Sequence, residues 1–335
     1  MFTALLCFCR RVKTLEWSME TVKCNLCGSD NYQVMYSMPD ARYCINDWFN
    51  IVECVNCGLG FVNPRPTITE MSRYYPSAFY DYFDHERDYH QLRYAAEAKF
   101  LPEIASGNHK LLLDLGCANG DFPRFMQQLG WRVEGVEVSP NSKPIFDFKV
   151  YKEDFEKIPV YEPRYDAITA WAVLEHVHDP MSYFKKAAQV LKSEGIFVFL
   201  VTNFKSLSSR CLFLEDVPRH LYFFTKETVK KYLAESGFDL IQADYNNKIY
   251  SMPPLNFVRY HFYRYFKQRS LEWKDTQSKF HSSEKNQLRT VLTRKLIHLI
   301  LDPIDVIDQL LLPIYERYQI VTKTYGIVTY VARRQ

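Results

Sequence analysis

Residues Leu111 to Asp121 read LLLDLGCANGD. An apolar run with an acid near its end leads into a loop of small residues, and the loop leads into a segment with helical character. A buried strand, a glycine loop and a helix in this order are typical of the first unit of a parallel α/β sheet, in which the loop amides bind a ligand. The stretch therefore predicts a ligand site and raises the question of which ligand the loop holds.

Short apolar and β-branched runs recur after this stretch and alternate with helical patterns. Together with Leu111–Leu115 in the opening stretch, the predicted strands are Arg132–Val138, Phe148–Tyr151, Asp166–Trp171, Ile196–Thr202 and Asp239–Tyr245. Helical patterns separate them, for example Met181–Leu191 and Lys226–Ser236, and Gly237 follows the second helix as a C-terminal stop. This alternation predicts a doubly wound α/β sheet whose ligands bind at the carboxyl ends of the strands.

The spacing of the loop distinguishes between ligands. Gly116, Ala118 and Gly120 are arranged as Gly-x-Ala-x-Gly, and Asp121 occupies the place of the third glycine of a dinucleotide fingerprint. A pyrophosphate needs a helix N-terminus free of negative charge, so Asp114 and Asp121 on either side of the loop disfavour it. A Walker loop is excluded because no Gly-Lys-Ser/Thr follows. The loop is therefore predicted to hold a ligand that is not a polyanion.

S-adenosylmethionine meets this requirement because it joins an adenosine, a sulfonium and an amino-acid end without phosphate. Gly116 and Gly120, with the small Ala118 between them, would let the backbone approach the methionyl part. Asp114 would face the ammonium group directly or through water. These four residues are the predicted methionyl side of the cofactor site.

Later strand ends supply side chains for the rest of such a cofactor. Glu137 ends the second strand, where an acid can bridge two ribose hydroxyls. Asp154 and Phe155 follow the third strand, where they would accept the adenine amino group and stack on the ring. Each residue alone has an ordinary explanation as a solvated strand end or a core aromatic, but their common order favours one cofactor site.

A series of segments between residues 111 and 245 resembles class I S-adenosylmethionine-dependent methyltransferases. The segments are LDLGCANG, VEGVEVS, EDFEKIP, YDAITAWAVLEHVHDP, LKSEGIFVFLVTN and AESGF, and YGIVTYVARR matches the family's final strand. The resemblance implies a Rossmann-like seven-stranded sheet whose last strand inserts antiparallel, with S-adenosylmethionine as cofactor. Ala118 departs mildly from the glycine often found at its position.

Two Cys-x-x-Cys pairs lie near the start of the chain, Cys24 with Cys27 and Cys54 with Cys57, and a glycine follows each pair. Four thiolates at this spacing are typical of a zinc ribbon. Because four thiolates fill the tetrahedral coordination of zinc, the predicted Zn²⁺ is structural. Free buried cysteines or a redox pair are the alternatives.

The charge of this ribbon bears on its partner. Between residues 23 and 60 two bases stand against four acids, a net charge of −2, and a Zn–Cys₄ centre would add about −2 more. A phosphate-binding ribbon needs the opposite sign, so a nucleic-acid partner is disfavoured. The ribbon together with CGLGFVNPRP resembles methyltransferases that modify sugars and other small metabolites.

Proton transfer from an acceptor hydroxyl requires a base, and histidines follow strands four and five. His220 is the first candidate, since its loop faces the acceptor in the resembling family, and His176 is the second. Glu175 would orient a neighbour or the substrate. The alternatives are that His220 hydrogen-bonds the next helix near Thr225 and that His176 supports the cofactor loop.

Composition divides the chain into five predicted segments. They are a tail (1–21), a zinc-ribbon module (22–66), a tyrosine-rich helical lid or linker (67–105), an S-adenosylmethionine-binding methyltransferase domain (106–248 with 321–335) and a basic, aromatic helical insertion (249–320). Within the insertion, residues 255–295 carry ten Lys or Arg and three acids, a net charge of +7. The insertion is either a helical cover of the sheet edge or a surface for an anionic or lipid-linked acceptor or an anionic membrane.

The chain of 335 residues is 47% hydrophobic, which suits a large packed core. Its formal net charge of +3 is too small to indicate a nucleic-acid partner by itself. No apolar run is long and uncharged enough to span a membrane, and the nine cysteines fit a reducing compartment. A cytoplasmic protein is expected, and either Met1 or Met19 is its start.

The predicted function is methyl transfer to a small molecule, most simply a hydroxyl of a sugar or related metabolite. An RNA methyltransferase and a non-catalytic cofactor-binding scaffold are the alternatives.

Overall fold

The computed structural model describes a large part of the chain. The described residues are 18–40, 47–76, 87–103, 110–139, 147–207, 209–210, 216–245, 249, 306–307 and 310–335, with side chains for all except 87–91. The chain divides into two compact units: Met1–Phe204 with Glu215–Ser251 and Ile327–Gln335 form the first, and Lys205–Leu214 with Met252–Gly326 form the second.

Strands and helices of the first unit follow the alternation that the sequence predicts. The strands are β1 (Met19–Glu20), β2 (Tyr32–Pro39), β3 (Trp48–Cys54), β4 (Gly60–Val62), β5 (Arg65–Pro66), β6 (Leu111–Leu115), β7 (Arg132–Val136), β8 (Lys149–Tyr151), β9 (Tyr165–Trp171), β10 (Leu191–Thr202), β11 (Tyr222–Phe223), β12 (Phe238–Asp244) and β13 (Ile327–Arg334). The α-helices are α1 (Arg87–Ala98), α2 (Asp121–Gln128), α3 (Pro180–Val190) and α4 (Lys226–Glu235), and short 3₁₀ helices span Met71–Tyr74 and Phe155–Lys157.

Seven strands form the central sheet in the order β12-β13-β10-β9-β6-β7-β8. The strands β10, β9, β6, β7 and β8 pair in parallel, and β13 pairs antiparallel with both β10 and β12. The prediction of a Rossmann-like doubly wound sheet with an antiparallel last strand is confirmed. All five residues of β6 are buried, as expected for a central strand with both faces covered.

Local capping signals fix where the helices begin. Asp179 accepts a hydrogen bond from the Ser182 amide at the start of α3, and Pro180 occupies the first turn. Thr225 and Thr228 form a reciprocal capping box at the start of α4. These helices cover the sheet and leave the carboxyl ends of β6 and β9 at one edge, where the predicted site residues lie.

A second sheet joins the cysteine-rich ribbon to the loop after β10. Its strand order is β11-β4-β3-β2, so the ribbon strands form a sheet with β11, which lies between β10 and α4 in sequence and pairs with β4. Tyr222 pairs with Phe61 and Phe223 with Gly60. A Cβ at Gly60 would lie 2.6 Å from the Phe204 ring, so only glycine fits this close approach. The ribbon is therefore packed directly on the loop that carries His220.

Several predicted segments are described only in part. Strand β1 pairs with β5, so Met19 and Glu20 of the predicted tail belong to a small sheet with Arg65 and Pro66. In the predicted helical segment 67–105, residues 77–86 and 104–105 lie outside the described residues. The basic part of the insertion, 255–295, lies outside them as well. In the second unit a helix covers 310–322. In the part of the chain that the structure describes, no helix combines the length and apolar character needed to cross a membrane.

Candidate active site

The loop after β6 adopts the unusual backbone that its small residues permit. Gly116, Ala118 and Gly120 all have positive φ, at 65°, 48° and 80°. A Cβ at Gly116 would lie 2.8 Å from Cγ2 of Val173, so the loop after β9 approaches the backbone closely at this point. Gly120 is the N-cap of α2. The predicted loop residues thus form one tight turn at the carboxyl edge of the sheet.

Glu137 reaches back to this loop from the end of β7. Its Oε2 accepts a hydrogen bond from the Ala118 amide at 2.9 Å, and its Oε1 accepts one from the Ser139 amide at 2.6 Å. The carboxylate is 8% exposed. The structure therefore brings Glu137 together with the loop.

Asp114 lies beneath the loop near the end of β6. Its Oδ1 accepts a hydrogen bond from the Thr169 hydroxyl at 2.6 Å, and the side chain is buried. Burial raises the pKa of Asp114 well above its usual range, and the hydrogen bond from Thr169 opposes that shift only in part. Asp114 is a buried acid whose ionised form a nearby cation would stabilise.

Asp154 and Phe155 lie at the end of β8 beside α3. The Tyr183 hydroxyl donates a hydrogen bond to Asp154, and the Tyr183 ring packs edge-to-face on Phe155 with centroids 5.4 Å apart. Phe155 is fully buried, so its ring presents no exposed face for stacking. Its role against an adenine remains a prediction, and its observed contact is with the core.

The three predicted acceptor-side residues form one cluster. Glu175, His176 and His220 place a carboxylate oxygen and two imidazole nitrogens within 4.8 Å of one another. The two imidazole rings meet edge-to-face with centroids 4.7 Å apart. The residues come from the loops after β9 and β10, and Val173 on the first of these loops also approaches Gly116. The cluster therefore lies next to the glycine loop.

Hydrogen bonds at His176 define its tautomer. Its Nδ1 lies 3.0 Å from the Arg219 carbonyl oxygen and 3.1 Å from the Tyr75 hydroxyl oxygen. A carbonyl oxygen can only accept, so Nδ1 donates its proton to Arg219 and Nε2 is left as the basic nitrogen.

Backbone hydrogen bonds hold the loop of His220 against that of His176. The amides of Leu221 and Tyr222 donate to the carbonyl oxygen of Glu175 at 2.7 and 3.2 Å. The N-terminus of α4 is capped by its own threonines, so capping that helix does not require His220. His178, two residues after His176, lies toward the ribbon, where its Nε2 is 3.1 Å from the Pro66 carbonyl oxygen.

Arg219 is a buried residue of the site that the sequence reasoning did not identify. Its side chain is fully buried and forms hydrogen-bonded ion pairs with Asp40, at 2.8 and 3.0 Å, and with Asp216, at 2.6 and 2.8 Å. It also donates to the Tyr74 carbonyl oxygen at 3.0 Å. Arg219 therefore anchors the His220 loop to the ribbon while its own carbonyl holds His176. The ion pair with Asp40 joins positions 179 residues apart, and no local sequence signal marks such a contact.

A family model described as a methyltransferase domain matches residues 83–243. Residues 83–243 are therefore identified as a methyltransferase domain. This match agrees with the sheet order, the glycine loop and the acid at the end of β7.

Curated relatives of the methyltransferase domain include two bacterial enzymes. The chain is 30% identical over 115 residues to a ubiquinone biosynthesis O-methyltransferase of Nitrosomonas europaea. The matched region covers 31% of this chain and 49% of that protein. It is 28% identical over 142 residues to the protein of the same name from Cereibacter sphaeroides (strain ATCC 17029 / ATH 2.4.9). In this case the matched region covers 39% of this chain and 58% of that protein. The chain thus spans about half the length of these curated relatives.

Among solved structures, a SAM-dependent methyltransferase from Archaeoglobus fulgidus is similar to this chain. The TM-score is 0.46 at 17% identity, and the overlap covers 76% of this chain and 99% of that one. At this TM-score the likeness supports no further conclusion.

The four predicted metal ligands lie together in one cluster. The Sγ atoms of Cys24 and Cys57 lie 3.4 Å apart, those of Cys27 and Cys54 lie 3.5 Å apart, and all four lie within 4.8 Å of one another. Zn–S bonds of about 2.3 Å in a tetrahedron separate sulfurs by about 3.8 Å. The glycine after each pair has positive φ and donates its amide to the carbonyl of the first cysteine. The arrangement fits a four-coordinate, closed metal site.

Asn25, inside the first cysteine pair, fastens this cluster to the methyltransferase domain. Its Nδ2 donates to Oδ1 of Asp179 at 2.8 Å. Its Oδ1 accepts from the Met181 amide at 3.0 Å and from the Tyr232 hydroxyl at 2.8 Å. Because these partners lie on α3 and α4, the cluster is coupled to the helices that cover the sheet.

Proposed function

We propose that the protein transfers a methyl group from S-adenosylmethionine to a hydroxyl of a small molecule such as a sugar or a related metabolite. The observation that carries this proposal is the cluster of Glu175, His176 and His220 beside the glycine loop. The methyltransferase domain accounts for the donor, and the cluster accounts for the proton that a hydroxyl acceptor must lose. The names of the curated relatives specify O-methyltransferases, which supports an oxygen acceptor.

The predicted cofactor residues have distinct proposed contacts. The backbone at Gly116, Ala118 and Gly120 would pass along the methionyl part, and Asp114 would favour its positive charge. Glu137 would turn one carboxylate oxygen from a loop amide to the ribose hydroxyls. Asp154 and Phe155 would border the adenine. Bound S-adenosylmethionine supplies an electrophilic methyl group on a sulfonium.

The acceptor-side residues manage the nucleophile and its proton. The acceptor oxygen attacks the methyl carbon in line with the departing sulfur, so a C–O bond forms as the C–S bond breaks. The hydroxyl proton passes to an imidazole. The sequence favoured His220 as this base, but the hydrogen bond at Nδ1 makes His176 the better oriented acceptor, through Nε2. Glu175 would stabilise the resulting imidazolium, and His220 would orient the hydroxyl.

The cysteine cluster is proposed to hold a structural Zn²⁺ ion. Four sulfurs fill its coordination, so no position is open to substrate. Through Asn25 and Arg219 the ribbon would hold the acceptor loops in place. It takes no part in methyl transfer.

A labelling experiment tests the proposed acceptor. Zinc-loaded protein and S-adenosylmethionine with a labelled methyl group are incubated with cell extract separated into polar metabolites, lipids, protein and RNA. The label is expected in the polar fraction, and label in the lipid fraction would indicate a lipid-linked acceptor. Label in RNA or protein would overturn the small-molecule acceptor. Binding of S-adenosylhomocysteine without transfer to any fraction would favour a scaffold.

A further inference from the structure

Glu97 is a buried acid that the proposed mechanism does not use. It lies near the end of α1 and is fully buried. Its Oε1 accepts a hydrogen bond from Arg93 Nε at 2.7 Å, one turn earlier on the helix. Its Oε2 is buried and has no hydrogen-bond partner among the described residues. A buried carboxylate oxygen without a partner is costly, so such an atom indicates a missing ligand.

The aromatic contacts of α1 place the helix that carries Glu97 near the glycine loop. The Tyr94 ring lies 6.2 Å from Phe122, in the first turn of α2. Just beyond α1, the Phe100 ring lies 6.4 Å from Trp171, the last residue of β9. Phe122 and Trp171 also contact each other, with centroids 5.5 Å apart. Helix α1 therefore packs against the start of α2, which follows the glycine loop, and the residues just beyond α1 reach the end of β9.

The local charge balance favours a cation. Burial raises the pKa of Glu97 to about 7 despite the neighbouring Arg93 guanidinium. The Glu97 charge in turn contributes to the raised pKa of Asp114, so the two acids lie near enough to interact. Glu137 also raises the pKa of Asp114, and Arg93 opposes the two acids. A cationic group between Glu97 and Asp114 would relieve the repulsion.

We infer that Glu97 binds the α-ammonium group of S-adenosylmethionine through its Oε2 atom, together with Asp114. This inference rests on the proposed function, since it assumes that the loop holds this cofactor. The ammonium is the one hydrogen-bond-donating cation of the ligand, whereas the sulfonium has no N–H or O–H to give. Glu97 lies on the helix before the sheet and was not among the residues that the sequence identified.

Binding measurements with two ligands test the inference. S-adenosylhomocysteine carries the amino-acid end, and 5′-methylthioadenosine lacks it. We expect Glu97→Gln to weaken S-adenosylhomocysteine binding about tenfold or more in calorimetry, because a charge-assisted hydrogen bond is lost. Binding of 5′-methylthioadenosine should remain within about twofold of wild type on the same reasoning. Glu103→Gln, which changes an exposed acid just beyond α1, is the matched control and should bind both ligands normally.

The binding measurements distinguish failure of the role of Glu97 from failure of the proposed function. Equal weakening of both ligands, or unchanged binding of both, would overturn the role of Glu97. Failure of wild type to bind S-adenosylhomocysteine at all would instead overturn the proposed function.

A second measurement needs no variant. Near pH 7, buffers of different ionisation enthalpy should reveal proton release from wild type with S-adenosylhomocysteine, because the ammonium favours the carboxylate form of Glu97. If 5′-methylthioadenosine released as many protons as S-adenosylhomocysteine does, the contact between Glu97 and the ammonium group would be contradicted.

Discussion

The two histidines of the cluster differ in the contacts that orient their rings. His176 donates its Nδ1 proton to the Arg219 carbonyl, which makes Nε2 the proposed proton acceptor, and His220 packs edge-to-face against it. The sequence identified both residues because histidines after strands four and five are local signals. It placed His220 first, because the carbonyl that orients His176 lies 43 residues away and leaves no local signal. At this scale, the residue types were predictable and their hydrogen bonds were not.

Replacing each histidine separately distinguishes their roles. His176→Gln should lower kcat by about 100-fold or more, the range for loss of a general base, and His220→Gln should lower it less. Binding of S-adenosylhomocysteine should be unchanged in both variants, because neither residue is assigned to the cofactor. Single-turnover transfer and calorimetry measure the two quantities. A larger loss for His220→Gln would return the base to His220.

The glycine loop gives a second prediction for a single residue. Gly116→Ala should weaken S-adenosylhomocysteine binding and lower stability by about 1–2 kcal/mol, because its Cβ would lie 2.8 Å from Val173 Cγ2 at a positive φ. Gly130→Ala is the matched control, since Gly130 also has positive φ but no atom within 4 Å of the added Cβ. Equal effects on cofactor binding in the two variants would show that the contact with Val173 does not shape the site.

Elements of the methyltransferase domain were largely predictable, and their long-range pairings were not. Strand β6 was predicted exactly, and the capped helices α3 and α4 were predicted within one residue at either end, because apolar periodicity and capping residues are local. Strand β11 has only two residues and pairs with β4 some 160 positions earlier, so no local pattern marks it. That pairing, together with the Arg219–Asp40 ion pair, is what attaches the ribbon to the acceptor loop.

Breaking the buried ion pair tests this attachment. Asp40→Asn should destabilise the protein by about 3–5 kcal/mol, since it leaves the fully buried Arg219 with one acid fewer. It should also reduce kcat more than cofactor affinity, because the loop of His220 is displaced while the glycine loop is not. Urea unfolding and steady-state kinetics measure these effects, with the exposed Asp30→Asn as control. A stable variant with normal kcat would exclude Arg219 as an anchor of the site.

On the scale of the whole molecule, the ribbon and the central sheet form one compact unit. The cysteine cluster contacts α3 and α4 through Asn25, and the ribbon sheet includes β11 from the acceptor side. The sequence predicted both the cysteine cluster and the sheet, because the cysteine spacing and the strand alternation are periodic signals. It treated them as separate modules, since the hydrogen bonds between them join distant positions.

Metal removal tests the structural role of the ribbon. The purified protein should contain a single zinc ion, and its chelation or Cys54→Ser should lower the unfolding temperature and abolish methyl transfer before cofactor binding is lost. Elemental analysis, thermal unfolding and calorimetry follow these changes. Cys44→Ser, between the two pairs in sequence, should retain the metal. Full activity in metal-free protein would contradict the proposed coupling of the ribbon to the acceptor loops.

The most direct test is a calorimetric titration of the zinc-loaded protein with S-adenosylhomocysteine, with NADH as the competing dinucleotide. The loop between Asp114 and Asp121 carries acids on both sides and lacks the third glycine of a dinucleotide site. We therefore expect saturable binding of S-adenosylhomocysteine and none of NADH. Binding of NADH, with no binding of S-adenosylhomocysteine, would contradict the assignment of the loop and of the function built on it.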